Sequence, residues 1–309
     1  MSASHVIGED GRDAREGYAL LAREFPPDEI DGPARHHSLL KEARLGPGRV
    51  STLERAGEEK RIWHQWIQIV VRDRAGRLVA VRDGSVIADA RTTLFYAAHI
   101  VTAPRYRSLG IGRWLCALSL HVANECLSGA ERALGCVYEQ AGRGRVALGF
   151  ELCEVEFPDP APENEGSRRR LVFHGRLGRS VLWPFRYSQP DTAYGSKLFR
   201  ASDWNAVPMF ICYRRFLPGP PEPLSALGAV NLLFDVHRTV FGEGVDWDRR
   251  HFESGLHTDG VLGSVRLPTR EREIEAFVAS TGSREALLQR YYPGFRYTRQ
   301  HAAGGDRAS

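Results

Sequence analysis

The chain has 309 residues, 42% hydrophobic and 26% charged, which gives enough apolar mass for one large domain or two moderate ones. No apolar run approaches the ~18 residues that span a bilayer, and the N-terminal MSASHVIGEDGRDARE has no apolar signal core. A net charge of +4 is too mild to argue for nucleic acid by itself. The five cysteines, Cys116, Cys126, Cys136, Cys153 and Cys212, are odd in number and form no C-x-x-C pair. Reduced thiols in a cytoplasmic protein are therefore expected, not a disulfide frame. The only lysines are Lys41, Lys60 and Lys197, an arginine bias that suggests a GC-rich bacterial source.

Residues 13–25 read as a helix, with Tyr18, Leu21 and Phe25 on one stripe and Pro26-Pro27 ending it. A second helix is expected over 34–44, closed by Gly46-Pro47-Gly48. Trp63 to Val71 alternates and is rich in β-branched and aromatic residues, so it reads as a strand. Arg77 to Arg82 reads as a second strand, bounded by Gly76 and by an Asp83-Gly84 turn signal. Thr92 to Thr102 is the third, stopped by Pro104. Arg107-Ser108-Leu109-Gly110-Ile111-Gly112 follows, and Trp114 to Leu127 has an amphipathic helical pattern. A glycine-bearing turn at a helix start is a place to hold phosphate, because unpaired N–H groups and the helix dipole meet there.

Beyond that helix, Ala133 to Glu139 reads as a strand, 143–148 as a short helix and Glu151 to Phe157 as a strand. Residues 158–182 look like an insertion that opens on PDPAPENEG and carries Arg168-Arg169-Arg170. That arginine stretch, continued by Arg176, Arg179 and Arg186, reads as a solvated strand face. Contacts with nucleic acid, an acidic carrier protein or a ligand phosphate are the alternatives. Its aromatics, Phe173, Trp183, Phe185 and Tyr187, read as core. Pro208 to Arg214 is a further strand, and Leu217 to Pro223 is the clearest linker. Past it come a helix from an N-cap at Ser225 through Phe241, then helices over 269–279 and 283–291. His251 and His257, with Asp246, Asp248 and Glu253, match no usual metal-ligand spacing, and no metal is expected.

Pro104, two residues, Arg107, two residues, Gly110, one residue and Gly112 resemble the acyl-CoA loop of the GNAT superfamily of N-acetyltransferases. The upstream strand and downstream helix extend the likeness. The resemblance implies an α/β (α+β type) fold, with a mixed, mostly antiparallel central sheet flanked by helices, plus a C-terminal helical extension. It places the acyltransferase domain at 1–217 and the linker and extension at 218–309. It implies transfer of an acetyl or other acyl group from acyl-CoA to a small-molecule or protein-borne amine. No nucleic acid, membrane or metal takes part, and the oligomeric state is open. Ile100, Val101 and Thr102 would pair with the pantetheine arm. Arg107, Ser108, Leu109, Gly110, Ile111, Gly112 and Arg113 would hold the pyrophosphate.

For the base, the candidates are Glu139 first, then Tyr96 and His99. Alternation puts Tyr96 and His99 on opposite faces of their strand. Glu29 and the His36-His37 pair lie where the family's first two helices flank the acceptor, although a solvated helix surface is the plainer reading. Many members carry a tyrosine four residues before a Gly-Phe, where it protonates the leaving thiolate. Before Gly149-Phe150 that place falls on Arg145. The departure motivates an alternative, a catalytically weakened acyl-CoA-binding or regulatory module.

Overall fold

The computed structural model describes residues 2–6, 11–25, 48–55, 57–138, 147–157, 165–184, 188–189, 207–217, 222–241 and 262–291. In these, ten strands form one sheet: β1 (Ser2–Val6), β2 (Arg49–Arg55), β3 (Glu58–Arg72), β4 (Leu78–Ala88), β5 (Thr93–Thr102), β6 (Phe150–Glu156), β7 (Ser180–Trp183), β8 (Ser188–Gln189), β9 (Val207–Arg215) and β10 (Gly263–Arg266). The spatial order is β1-β3-β4-β5-β6-β9-β7-β10, with β2 added on β3 and β8 on β9. Every pairing is antiparallel except β5 with β6. The helices are α1 (Arg12–Glu24), α2 (Ile111–Leu134), α3 (Glu165–Arg176), α4 (Glu222–Phe241), α5 (Ile274–Thr281) and α6 (Arg284–Tyr291). The fold is thus the mixed, mostly antiparallel sheet flanked by helices that the sequence led us to expect.

The period of β3 sorts these layers. Its even positions Ile62, Trp66 and Val70 face α4 and α1, while Trp63, Ile67, Ile69 and Val71 face α2 and α3. On the first face Ala226, Ala229, Val230 and Leu233 of α4 pack on Leu94, Tyr96, Leu152 and Ile211. On the second, Ala123 and Leu127 of α2 and Leu171 of α3 pack on Phe95, Ala97, Cys153 and Phe210. Leu267, Phe277 and Leu287 from the C-terminal segment join that same cluster. Lys60 ties β3 to α4 through Asp235 at 2.9 Å and also reaches Asp89 at 3.1 Å.

Several local expectations change. β4 runs straight through Asp83-Gly84, because Gly84 lies against the Tyr96 carbonyl with no room for a Cβ. The glycine there marks a close approach of the neighbouring strand β5 instead. The expected strand at 133–139 is helix as far as Leu134; Gly135, at φ +69°, then caps α2, and 136–138 are irregular. Ala147 and Leu148 are not helical, and the rest of 143–148 lies outside the described residues. The arginine stretch is a helix, α3, leading into β7, an inner strand between β9 and β10. α4 begins at Glu222, which puts Ser225 inside it.

Candidate active site

β5 and β6 pair only across Leu94–Tyr96 and Phe150–Leu152. From Ala97 to Thr102, β5 is held on its β4 side, and no strand among the described residues covers its other edge. Main-chain donors and acceptors along that edge can take an extended ligand arm. The splay coincides with an irregularity in the β4–β5 ladder. Arg82 pairs with Ile100 and Gly84 with Ala97, so Ala98 and His99 stand opposite Asp83 alone. This is a β-bulge, which bends the strand and re-aims a side chain.

The extra residue reverses one expectation. Tyr96 lies on the α4 face, and His99 meets Phe25 at the end of α1 with ring centroids 5.0 Å apart. α1 and α4 share a face, so Tyr96 and His99 do as well. Asp83, 1% exposed, is the partner the bulge supplies. Its Oδ1 accepts the His99 backbone N–H at 2.9 Å and sits 2.9 Å from His99 Nδ1. A carboxylate only accepts, so Nδ1 carries a proton. Asp83 Oδ2 is buried with no hydrogen-bond partner among the described residues.

β5 delivers the chain into the glycine loop. A short 3-10 turn, Pro104–Tyr106, is anchored by the Tyr106 hydroxyl, which donates to Asp73 Oδ2 at 2.6 Å. That bond, with Arg77 and neighbouring backbone N–H groups, holds the Asp73 carboxyl far below the usual range. Arg107 donates from Nη2 to Glu24 of α1 at 2.6 Å and from Nε to the Thr102 carbonyl at 3.2 Å. Ser108 (φ +64°) and Gly110 (φ +76°) are both left-handed. Gly110 caps α2 with no side-chain hydrogen bond. The exposed loop therefore meets a 24-residue helix whose first N–H groups lack a side-chain cap. A Cβ on Gly112 would make only ordinary contact with Phe173, at 3.4 Å, so the protein's own packing does not demand glycine there.

The remaining expected residues divide. Tyr96 is buried in the α4 cluster. Glu139, Arg145, Glu29, His36, His37 and the His251–His257 group lie outside the described residues. In the arginine stretch, Arg169 pairs with Glu165, Arg170 with Glu156 at 2.5 Å, and Arg176 Nε donates to the Thr269 carbonyl at 2.9 Å. Arg179 is buried on Glu151, so much of this positive charge is already matched internally.

The helix that precedes β7 is α3, and Gly178 follows it, four residues past His174. His174 is buried, with Nδ1 accepting from Arg179 Nη1 and 3.8 Å from Cys153 Sγ. Burial and nearby Arg179 hold its imidazole below the ordinary range, despite the opposing pull of Cys153.

Residues 39–150 match the model of the acetyltransferase (GNAT) family. That segment is similar to a GNAT acetyltransferase domain. Solved structures similar to this chain include a protein described as a GNAT-family acetyltransferase from Bacteroides thetaiotaomicron, at 17% identity, covering 78% of this chain and 99% of that one, with a TM-score of 0.44. Another is an aminoglycoside 6'-N-acetyltransferase complexed with coenzyme A, at 14% identity, 72% and 100% coverage and a TM-score of 0.38. A third is the spermidine/spermine N-acetyltransferase SpeG of Vibrio cholerae, at 13% identity, 69% and 91% coverage and a TM-score of 0.35. No curated protein matches the sequence. Among the described residues, no helix is long and apolar enough to cross a membrane.

Proposed function

We propose that this GNAT domain transfers an acetyl or other acyl group from acyl-CoA to an amine, borne by a small molecule or a protein. The observation that carries the reading is that the β5 edge left open by the described strands runs on through the glycine loop to the start of α2, which has no side-chain cap. The edge at Ile100, Val101 and Thr102 takes the pantetheine arm, and a backbone N–H there polarises the thioester carbonyl. The amides of Ser108, Leu109, Gly110, Ile111 and Gly112 take the pyrophosphate, with Arg107 and Arg113 adding charge. The reduced thiols suit a cytoplasmic setting.

His99 is the base in this reading. The bulge turns it out of the strand's regular alternation, Asp83 orients the ring through Nδ1, and Nε2 takes the amine proton in the reaction. The amine nitrogen then bonds the acyl carbon, and the C–S bond breaks. A thiolate with an ordinary pKa of about 8.5 leaves without a strong acid beside it. Tyr96 packs under α4 on the same face.

The test is thiol release from acetyl-CoA across a panel of primary amines, polyamines and peptide N-termini. Release that depends on one amine class, with the acylated product found by mass spectrometry, supports the reading. Release at the rate seen in water with every amine contradicts it.

A further inference from the structure

Beneath α2 and α3 the sheet buries more positive than negative charge. Arg82 and Arg179 are 2% and 1% exposed, and Glu151 between them is 0% exposed. Glu151 Oε1 takes Arg82 at 3.0 Å and Arg179 at 2.5 Å, and Oε2 takes Arg214 at 3.0 Å. Arg214 reaches water, but the other two guanidiniums share one carboxylate, and Arg82 Nε has no partner among the described residues. A buried cation needs an anion. The acid placed to supply a second one is Cys153, two residues along β6 on the same face.

Three groups converge on Cys153. Its Sγ lies 3.8 Å from His174 Nδ1, the atom that also receives Arg179. Across the β6–β9 ladder its register partner is Cys212. Burial alone would raise the Cys153 thiol, but the hydrogen bond of the Cys212 thiol and the charge of Arg179 hold it well below the ordinary range. Burial pushes Cys116 and Cys212 up, and Cys126 to about 11. Opposite residues of an antiparallel pair have Cα atoms about 4.5–5.5 Å apart, inside the roughly 4.4–6.8 Å that a disulfide spans.

We propose that Cys153 and Cys212 form a hydroperoxide-reactive dithiol, with Cys153 as the attacking thiolate and Cys212 as the resolving thiol. The Cys153 sulfur attacks one peroxide oxygen, the O–O bond breaks, and sulfenic acid and hydroxide form. The Cys212 sulfur then displaces hydroxide from Cys153, which takes up the Cys212 proton and leaves as water. Two thiols are oxidised to one disulfide and one peroxide is reduced to water. Hydrogen peroxide is small enough to enter a packed interior on a local opening, which larger oxidants are not. Oxidation also removes the thiolate, leaving Arg82 and Arg179 with Glu151 alone.

The test treats the full chain with stoichiometric hydrogen peroxide, quenches it, alkylates the free thiols after denaturation, and maps the peptides. The expected result is loss of two thiols per chain, a Cys153–Cys212 cross-link reversed by dithiothreitol, and no cross-link in Cys153→Ser. Cys212→Ser should stop at a Cys153 sulfenic acid that dimedone traps. First oxidation at the partly exposed Cys126 or Cys136, with Cys153 still alkylated, overturns the proposal. So does a wild-type chain that keeps all five thiols at that dose. The wild-type map decides the matter even if a cysteine variant fails to fold.

Discussion

Asp83 and His99 meet because β5 carries one residue more than β4 at the bulge. If His99 is the base, His99→Gln should lower kcat by roughly 10²–10⁴-fold, the usual contribution of a positioned base. CoA affinity should stay within about twofold. Asp83→Asn keeps the shape but stops fixing Nδ1–H. It should lower kcat less and shift the acidic limb of the pH–rate profile, which His99→Gln should lose altogether. An unchanged limb in both variants would assign the base elsewhere. Glu151 makes a different prediction, about stability. Burial would raise its carboxyl, but Arg179 and Arg82 outweigh burial and hold it at about 2. A depressed carboxyl contributes stability above its unfolded value, near 4.3, and that contribution fades as pH falls toward 2. Glu151→Gln should therefore destabilise by about 3–5 kcal/mol at neutral pH, and the difference from wild type in urea unfolding should shrink through that acid window. This pair was not legible in the sequence. Arg179 sits inside an arginine run that reads as surface, and only the fold brings it under β6.

At the scale of elements, the glycine loop separates two demands that the sequence presents alike. Gly110 needs its left-handed conformation, so Gly110→Ala should cost about 1–2 kcal/mol of stability. Gly112 has room for a methyl beside Phe173, so Gly112→Ala should leave the apo melting temperature nearly unchanged while weakening CoA binding. Equal loss of stability in both variants would mean that both glycines are structural. The loop, β5 and α2 were readable because their signals agree: an apolar β-branched run, then proline, then glycines, then a 3.6-residue pattern. Elsewhere signals conflicted. Residues 133–138 have strand-like composition but are claimed in part by the end of α2, and Gly135 stops it. Asp83-Gly84 reads as a turn, yet glycine is there because the Tyr96 carbonyl lies against it. A single residue of bulge, invisible to alternation, then carried His99 to the Tyr96 face.

For the whole molecule, the C-terminal segment matters through what it covers. α4 lies on Leu94, Tyr96 and Leu152, the same strands that splay apart at the proposed thioester site. β10 pairs with β7, and Leu267, Phe277 and Leu287 sit in the cluster beneath α2 and α3. Burying side chains of that size contributes about 1.5–3 kcal/mol each. A chain ended after Leu217 should therefore lose its cooperative thermal transition or aggregate, whereas an independent domain would melt unchanged. The apolar pattern of α4 was plain in the sequence, but its destination was not, since periodicity gives a face and not a partner.

The central claim, that the β5 edge and the start of α2 together form an acyl-CoA site, is tested most directly by calorimetric titration of the full chain with CoA. The account predicts saturable binding at one site per chain, weakened by Gly112→Ala at unchanged apo stability. No heat of binding at several temperatures, with no rise in melting temperature at millimolar CoA or acetyl-CoA, would contradict it.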